Sequence, residues 1–195
     1  MTNDVAVDVV NARTITNTTP NRAAEGTGGA FVTLRKGNVV SAGPGIVATN
    51  DSGYGASDGA IGDAGITIEG GTISAPNGPA AQAIQGEFGA GDAYVRMSGG
   101  QVTAHEGLDA QNNGGLAGNA LTELSGGTVT TDGFGLRAFI ENSQGTGDAT
   151  TNMSGGSVST SAEYPIMACE EKKSRPALIQ CLSPNRRVEV RVSAF

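Results

Sequence analysis

A nine-residue phrase is written four times in this chain: IEGGTISAP from Ile68, MSGGQVTAH from Met97, LSGGTVTTD from Leu124 and MSGGSVSTS from Met153. A looser copy, LRKGNVVSA, starts at Leu34, so the opening apolar residues lie 34, 29, 27 and 29 residues apart. Repetition at such a period constrains the fold strongly, because each unit has to pack against its own copies. Five residues after each opening residue comes a second apolar position: Val39, Ile73, Val102, Val129 and Val158. A third short element follows as Ile46-Val47-Ala48, Ala81-Gln82-Ala83, Leu108-Asp109-Ala110, Leu136-Arg137-Ala138 and Ile166-Met167-Ala168. Apolar residues alternate within each element, as in TVT or LDA, which puts them on one face of a strand and not along a helix stripe. The Gly-Gly pairs, such as Gly99-Gly100 and Gly126-Gly127, fall between the first and second strands. There a tight bend calls for positive φ, which glycine adopts at little cost.

Three short strands with one narrow apolar face cannot bury that face alone, but stacked copies can. The expected fold is therefore all-β: a parallel β-helix solenoid with three short strands per repeat and about five clear repeats, its coils about 4.8 Å apart. The core must be aliphatic, since the 195 residues include no Trp, five Phe and three Tyr. Glycine and charge divide the chain. All 31 glycines lie between Gly26 and Gly156, and both cysteines, Cys169 and Cys181, lie beyond them. Residues 1–168 hold six Lys and Arg against 16 Asp and Glu, whereas 169–195 hold six against three. The expected organisation is a degenerate N-terminal coil or cap over 1–30, repeats over 31–168 and a non-repeating tail over 169–195. That tail is read either as a cap over an open solenoid end, where unpaired strand edges invite aggregation, or as a segment whose reading frame departs from that of the repeats near Ala168. The two cysteines fit a disulfide in an exported protein or two unrelated thiols.

The acidic balance argues against nucleic acid as a partner, because a phosphate-binding face needs clustered Lys and Arg. No apolar run approaches the roughly 18 residues of a membrane-spanning helix. The opening MTNDVAVDVVNARTIT has no basic segment followed by an apolar one, so no export signal is read in it.

The string LSGGTVTTDGFGLRAFIENSQGTGDAT, with an apolar-S-G-G-[TS]-V-[ST]-T opening and a G-[LI]-x-A third strand, resembles the passenger domains of bacterial autotransporters, including pertactin-like and adhesin-type passengers. The likeness spans about residues 30–168. It implies a right-handed β-helix presented at the cell surface and active in adhesion or aggregation, with host or bacterial cell-surface glycans, proteins or further copies of itself as partners. Neither the family's export signal nor its C-terminal barrel is seen, so the resemblance implies a passenger fragment.

Several strings imitate chemistry. GASDG at 55–59 fits the G-x-S-x-G nucleophile elbow, and Asp92 and His105 follow Ser57 in hydrolase order. The strand before and helix after Ser57 that such an elbow needs are not indicated, so the string reads as a glycine-rich loop. GPGIVA from Gly43 and GFGLRA from Gly133 match the dinucleotide fingerprint but coincide with third strands and lead into turns, not into a helix N-terminus. Asp58, Asp63, Asp92 and Asp148 are loop carboxylates within reach of weak Ca²⁺ binding. However, the Gly-Gly period is not the nine residues of a calcium β-roll, and solvated carboxylates are the expectation. Glu69, Glu123 and Asp109 face outward, and Arg96 is placed at the position equivalent to both glutamates, giving a charge ladder along one face. His105 reads as a surface turn residue with no second metal-ligating His or Cys nearby.

No residue is therefore assigned a catalytic, cofactor-binding or metal-binding role. The expected function is a non-enzymatic stalk or adhesin segment that needs no cofactor. A carbohydrate-active β-helix and a decayed reading frame without selected function stand as alternatives.

Overall fold

The computed structural model describes residues 7–12, 29–51, 62–86, 91–113, 118–141, 147–162 and 166–170. In chain order the strands are β1 (Val7–Ala12), β2 (Ala30–Leu34), β3 (Asn38–Val40), β4 (Ile46–Asp51), β5 (Ala64–Ile68), β6 (Thr72–Gln85), β7 (Ala93–Met97), β8 (Gln101–Asn112), β9 (Ala120–Leu124), β10 (Thr128–Thr131), β11 (Leu136–Ile140), β12 (Ala149–Met153), β13 (Ser157–Thr160) and β14 (Ile166–Glu170). Every pairing is parallel and joins equivalent positions of successive repeats, so the chain forms a parallel β-solenoid. No helix among the described residues is long and apolar enough to cross a membrane.

The first strands of the repeats stack as the five-stranded sheet β2-β5-β7-β9-β12. Second and third strands share the other sheet. Residues of the first 30 take part, since β1 extends the third-strand ladder through Val7↔Ile46 to Ala12↔Asp51. At the far end β14 runs through Cys169 and Glu170 opposite β11, while Cys181 and the rest of the tail lie outside the described residues.

Inward columns follow from the alternation. One runs Leu34-Ile68-Met97-Leu124-Met153, a second Val39-Ile73-Val102-Val129-Val158, and a third Ala48-Ala83-Ala110-Ala138-Ala168. Among the described residues the central buried cluster contains Ala, Val, Ile, Leu and Met and no aromatic residue, the buried Phe134 lying outside it. Alanine columns let the walls of a thin solenoid approach closely. Between those walls the column Val32-Ile66-Val95 changes to Thr122 and Thr151, whose hydroxyls donate across the interior to the carbonyls of Arg137 and Met167 at 2.6 and 2.7 Å. Each buried hydroxyl is thereby satisfied.

Both glycines of each pair lie against the backbone of the preceding coil, and the second also makes the bend. The second, at Gly71, Gly100, Gly127 and Gly156, has φ between +76° and +94°, as the turn requires. A Cβ on the first, at Gly70, Gly99, Gly126 or Gly155, would meet a backbone carbonyl oxygen of the preceding coil.

Three separate strands per repeat hold for most coils, but in β6 and β8 the second and third strands run on as one element. The β6–β8 ladder changes register between Ala75 and Pro79. Proline has no N–H to give a ladder, so the two prolines of APNGP force the irregularity, and the Asn77 Nδ2 donates to the Ala42 carbonyl at 2.8 Å beside them.

Candidate functional site

Charged side chains on the solenoid are arranged as bridges between neighbouring coils. On the third-strand face, register places Gln82, Asp109 and Arg137 side by side. Arg137 donates from Nε to Asp109 Oδ1 at 2.8 Å and from Nη2 to Oδ2 at 2.7 Å, a bidentate pair. Gln82 Nε2 and Gln111 Nε2 also donate to Oδ2, at 3.0 and 2.6 Å. The Asp109 carboxylate is 0% exposed. The guanidinium lies 4.3 Å from the ring centroid of Phe134 and 6.0 Å from that of Phe139. Burial disfavours the charge on Arg137, but hydrogen bonding to Asp109 and then the charges of Asp109 and Glu106 more than offset this and raise its pKa. With four donors around it, the Asp109 carboxylate has its lone pairs engaged and is poorly suited to act as a base or nucleophile. The sequence carried the signal for this cluster in its aligned third strands, AQA, LDA and LRA, yet Asp109 read as a lone outward acid.

The first-strand face corrects the expected charge ladder. Arg96 pairs in register with Thr67 and Glu123, and its Nε donates to Glu123 at 2.8 Å. Glu69 is in a different column and accepts from Arg35 Nε at 3.1 Å. The reason is positional: Arg35 and Glu69 each follow the opening apolar residue, whereas Arg96 and Glu123 each precede it. Two separate exposed ion pairs result. On the same face Arg96 lies 4.5 Å from the Tyr94 ring centroid, and Tyr94 lies 6.4 Å from Phe31. Gly65 makes room for the Tyr94 ring, which a Cβ there would strike.

The loop carboxylates form another ladder. Asp63 Oδ1 accepts the Asp92 N–H at 2.9 Å, Asp92 Oδ1 accepts the Asn119 N–H at 2.7 Å, and Asn119 Oδ1 accepts the Asp148 N–H at 3.0 Å. The G-[DN]-A that leads into β5, β7, β9 and β12 thus ties one coil to the next. Asp58 and Ser57 lie outside the described residues.

His105 Nδ1 is 2.7 Å from Asp132 Oδ1, both side chains being exposed. The hydrolase order would have paired His105 with Asp92, but Asp92 is held by Asn119 ahead of the first strand, whereas Asp132 occupies the next coil beside His105. The hydrogen bond from His105 is the main influence holding the Asp132 carboxyl below its ordinary range. A depressed carboxylate pKa gives an interaction that is present above the unfolded-state value and lost as pH falls through the folded one. An NMR titration should place the Asp132 midpoint below that of an ordinary aspartate, and His105→Ala should raise it toward that value. Both dinucleotide-like strings end in third strands, β4 and β11.

The second-strand face is unlike the other two. Its outward columns are Asn38-Thr72-Gln101-Thr128-Ser157 and Val40-Ser74-Thr103-Thr130-Ser159. None of these ten residues is charged, and all are exposed except the half-buried Ser74.

No family model matches the chain, and no curated protein or solved structure matches it. The β-solenoid is established by the molecule's own strand pairing.

Proposed function

We propose that the chain is an adhesive, ligand-presenting segment of an exported β-solenoid, of the kind implied by its resemblance to autotransporter passengers, with cell-surface glycans or proteins as ligands and contacts between copies adding avidity. The observation that carries this reading is the fate of its charged groups. Asp63, Asp92, Asp109, Asp132, Glu69 and Glu123 each accept a hydrogen bond from the neighbouring coil. Groups held this way build a rigid column, and what the column then offers a partner is the recurrence of its outward residues, coil after coil. Many weak, equally spaced contacts favour multivalent attachment over turnover of a small substrate.

Beads coated with the purified chain should adhere to bacterial or host cells, and Ser57→Ala and His105→Ala should leave attachment within about twofold, below 0.5 kcal/mol. Loss of attachment on either single change would overturn a distributed surface. Release of reducing ends from polysaccharide, abolished by one carboxylate change, would replace the adhesive reading with an enzymatic one.

A further inference from the structure

We infer that the second-strand face is a binding surface for an insoluble, uncharged polysaccharide. This inference rests on the adhesive reading above and assigns its ligand class and its face.

Three observations converge on this surface. The first is the absence of charge from these two columns: no Asp, Glu, Lys or Arg stands among their ten outward residues, although the chain carries 31 such residues and a net charge of -7, and the exposed His105–Asp132 pair lies one outward position further along. A face meant for an ionic ligand would hold opposite charge, and a face with no role has no reason to exclude charge. A partner without charge is the complement of such a surface.

The second is the state of its polar groups. Elsewhere on the solenoid Asp63, Asp92, Asp109, Asp132, Glu69 and Glu123 are each bonded to the neighbouring coil, but among the described residues the side chains of Ser74, Gln101, Thr103, Thr130 and Ser159 have no hydrogen-bonding partner within the protein. Thr72 donates to Asn38 at 2.7 Å and Ser157 to Thr128 at 3.4 Å, which orients those hydroxyls along the column. Hydroxyls and amides both donate and accept, as sugar hydroxyls do.

The third is regularity. Parallel register puts equivalent side chains about 4.8 Å apart along the solenoid, and the two columns lie about 6.6 Å apart across it, twice the rise per residue of a strand. β-Branched Thr72, Thr103, Thr128 and Thr130 have restricted χ1 and hold their hydroxyls in place with little entropy left to lose. One exposed hydroxyl contributes little to binding on its own. A rigid two-column array gains only when its partner also repeats, so a solid of parallel sugar chains engages many positions where a short soluble oligosaccharide reaches few. The amides of Asn38 and Gln101 interrupt the methyl-bearing threonines, which suits sugar hydroxyls better than an ice lattice.

The test is retention of the full chain on microcrystalline cellulose and on an insoluble β-1,3-glucan, with heparin beads as the charged comparison. Retention on at least one neutral solid is expected, changing by less than about twofold between 0.1 and 1 M NaCl because no ion pair is involved. Thr103→Glu with Thr130→Glu, which plants two desolvated charges in the contact, should lower retention about tenfold or more. Thr33→Glu with Thr150→Glu, the same two-charge change on the exposed first-strand face, should leave it unaltered. Should the double variant lower the unfolding midpoint, Thr103→Ala with Thr130→Ala adds no charge and should still lower retention.

The inference is overturned by no retention on either neutral solid, by retention that survives both double variants, by retention that 1 M salt abolishes, or by binding to growing ice crystals in place of polysaccharide. Failure on polysaccharide with cell attachment intact would remove this assignment and leave the adhesive reading standing, whereas failure of both would remove both.

Discussion

Arg137→Ala should destabilise the solenoid by about 3–5 kcal/mol, the usual cost of removing one partner from a buried ion pair. The size follows from what is left behind. Asp109 is fully buried, and without Arg137 its Oδ1 loses the Nε–H donor while Oδ2 retains only the amides of Gln82 and Gln111. Part of the loss is packing, because the guanidinium also covers the rings of Phe134 and Phe139. Pairing Arg137→Met with Asp109→Leu should recover most of the stability, since the desolvated charge is then absent from both positions. Urea unfolding of the two variants beside the parent chain decides the matter. A small effect from Arg137→Ala alone would mean that water reaches Asp109 once it is unpaired.

Gly100→Ala is the second large effect, at about 2–4 kcal/mol from backbone strain and overpacking together. Gly100 has φ +94°, and a Cβ there would lie 2.7 Å from the Gly71 carbonyl oxygen and 3.0 Å from the Gly70 carbonyl carbon. Those atoms are backbone of the coil before, so neither can swing aside. Gly37 supplies the control. Its φ is +105° but an added Cβ has nothing within 4 Å, so Gly37→Ala should incur the conformational term alone, about 1–2 kcal/mol. The difference between the two thermal midpoints measures the contact with the neighbouring coil. Equal effects would show that stacking at this corner is looser than its geometry implies.

These two sites mark different depths of legibility. Gly100 was readable from spacing: a pair of glycines between two apolar alternations calls for a bend with positive φ, and the second glycine of each pair has it. The Asp109–Arg137 pair was present in the aligned third strands, but its burial was not, because a period of two gives the face of a residue and says nothing of what lies over that face. Glu69 shows a narrower failure. It was grouped with Arg96 and Glu123 by the repeat, yet one step past the opening residue and one step before it are separate columns. The loop aspartates show another. Read as solvated carboxylates, Asp63 and Asp92 instead accept backbone N–H groups one coil on, a contact between residues 29 or 27 positions apart.

The sequence alone determined the repeating unit, the alternation that sends Leu, Ile, Val, Met and Ala inward, and the glycine corners. All of these follow from local backbone geometry and from the need of each repeat to bury its apolar face on a copy. Only the tertiary structure decided which charged residues meet, that β6 and β8 run through the second corner unbroken, and that one face carries uncharged hydroxyls and amides with unpaired groups between coils. Those outcomes depend on register between coils, which the loops joining one coil to the next help set and which only the packed stack fixes.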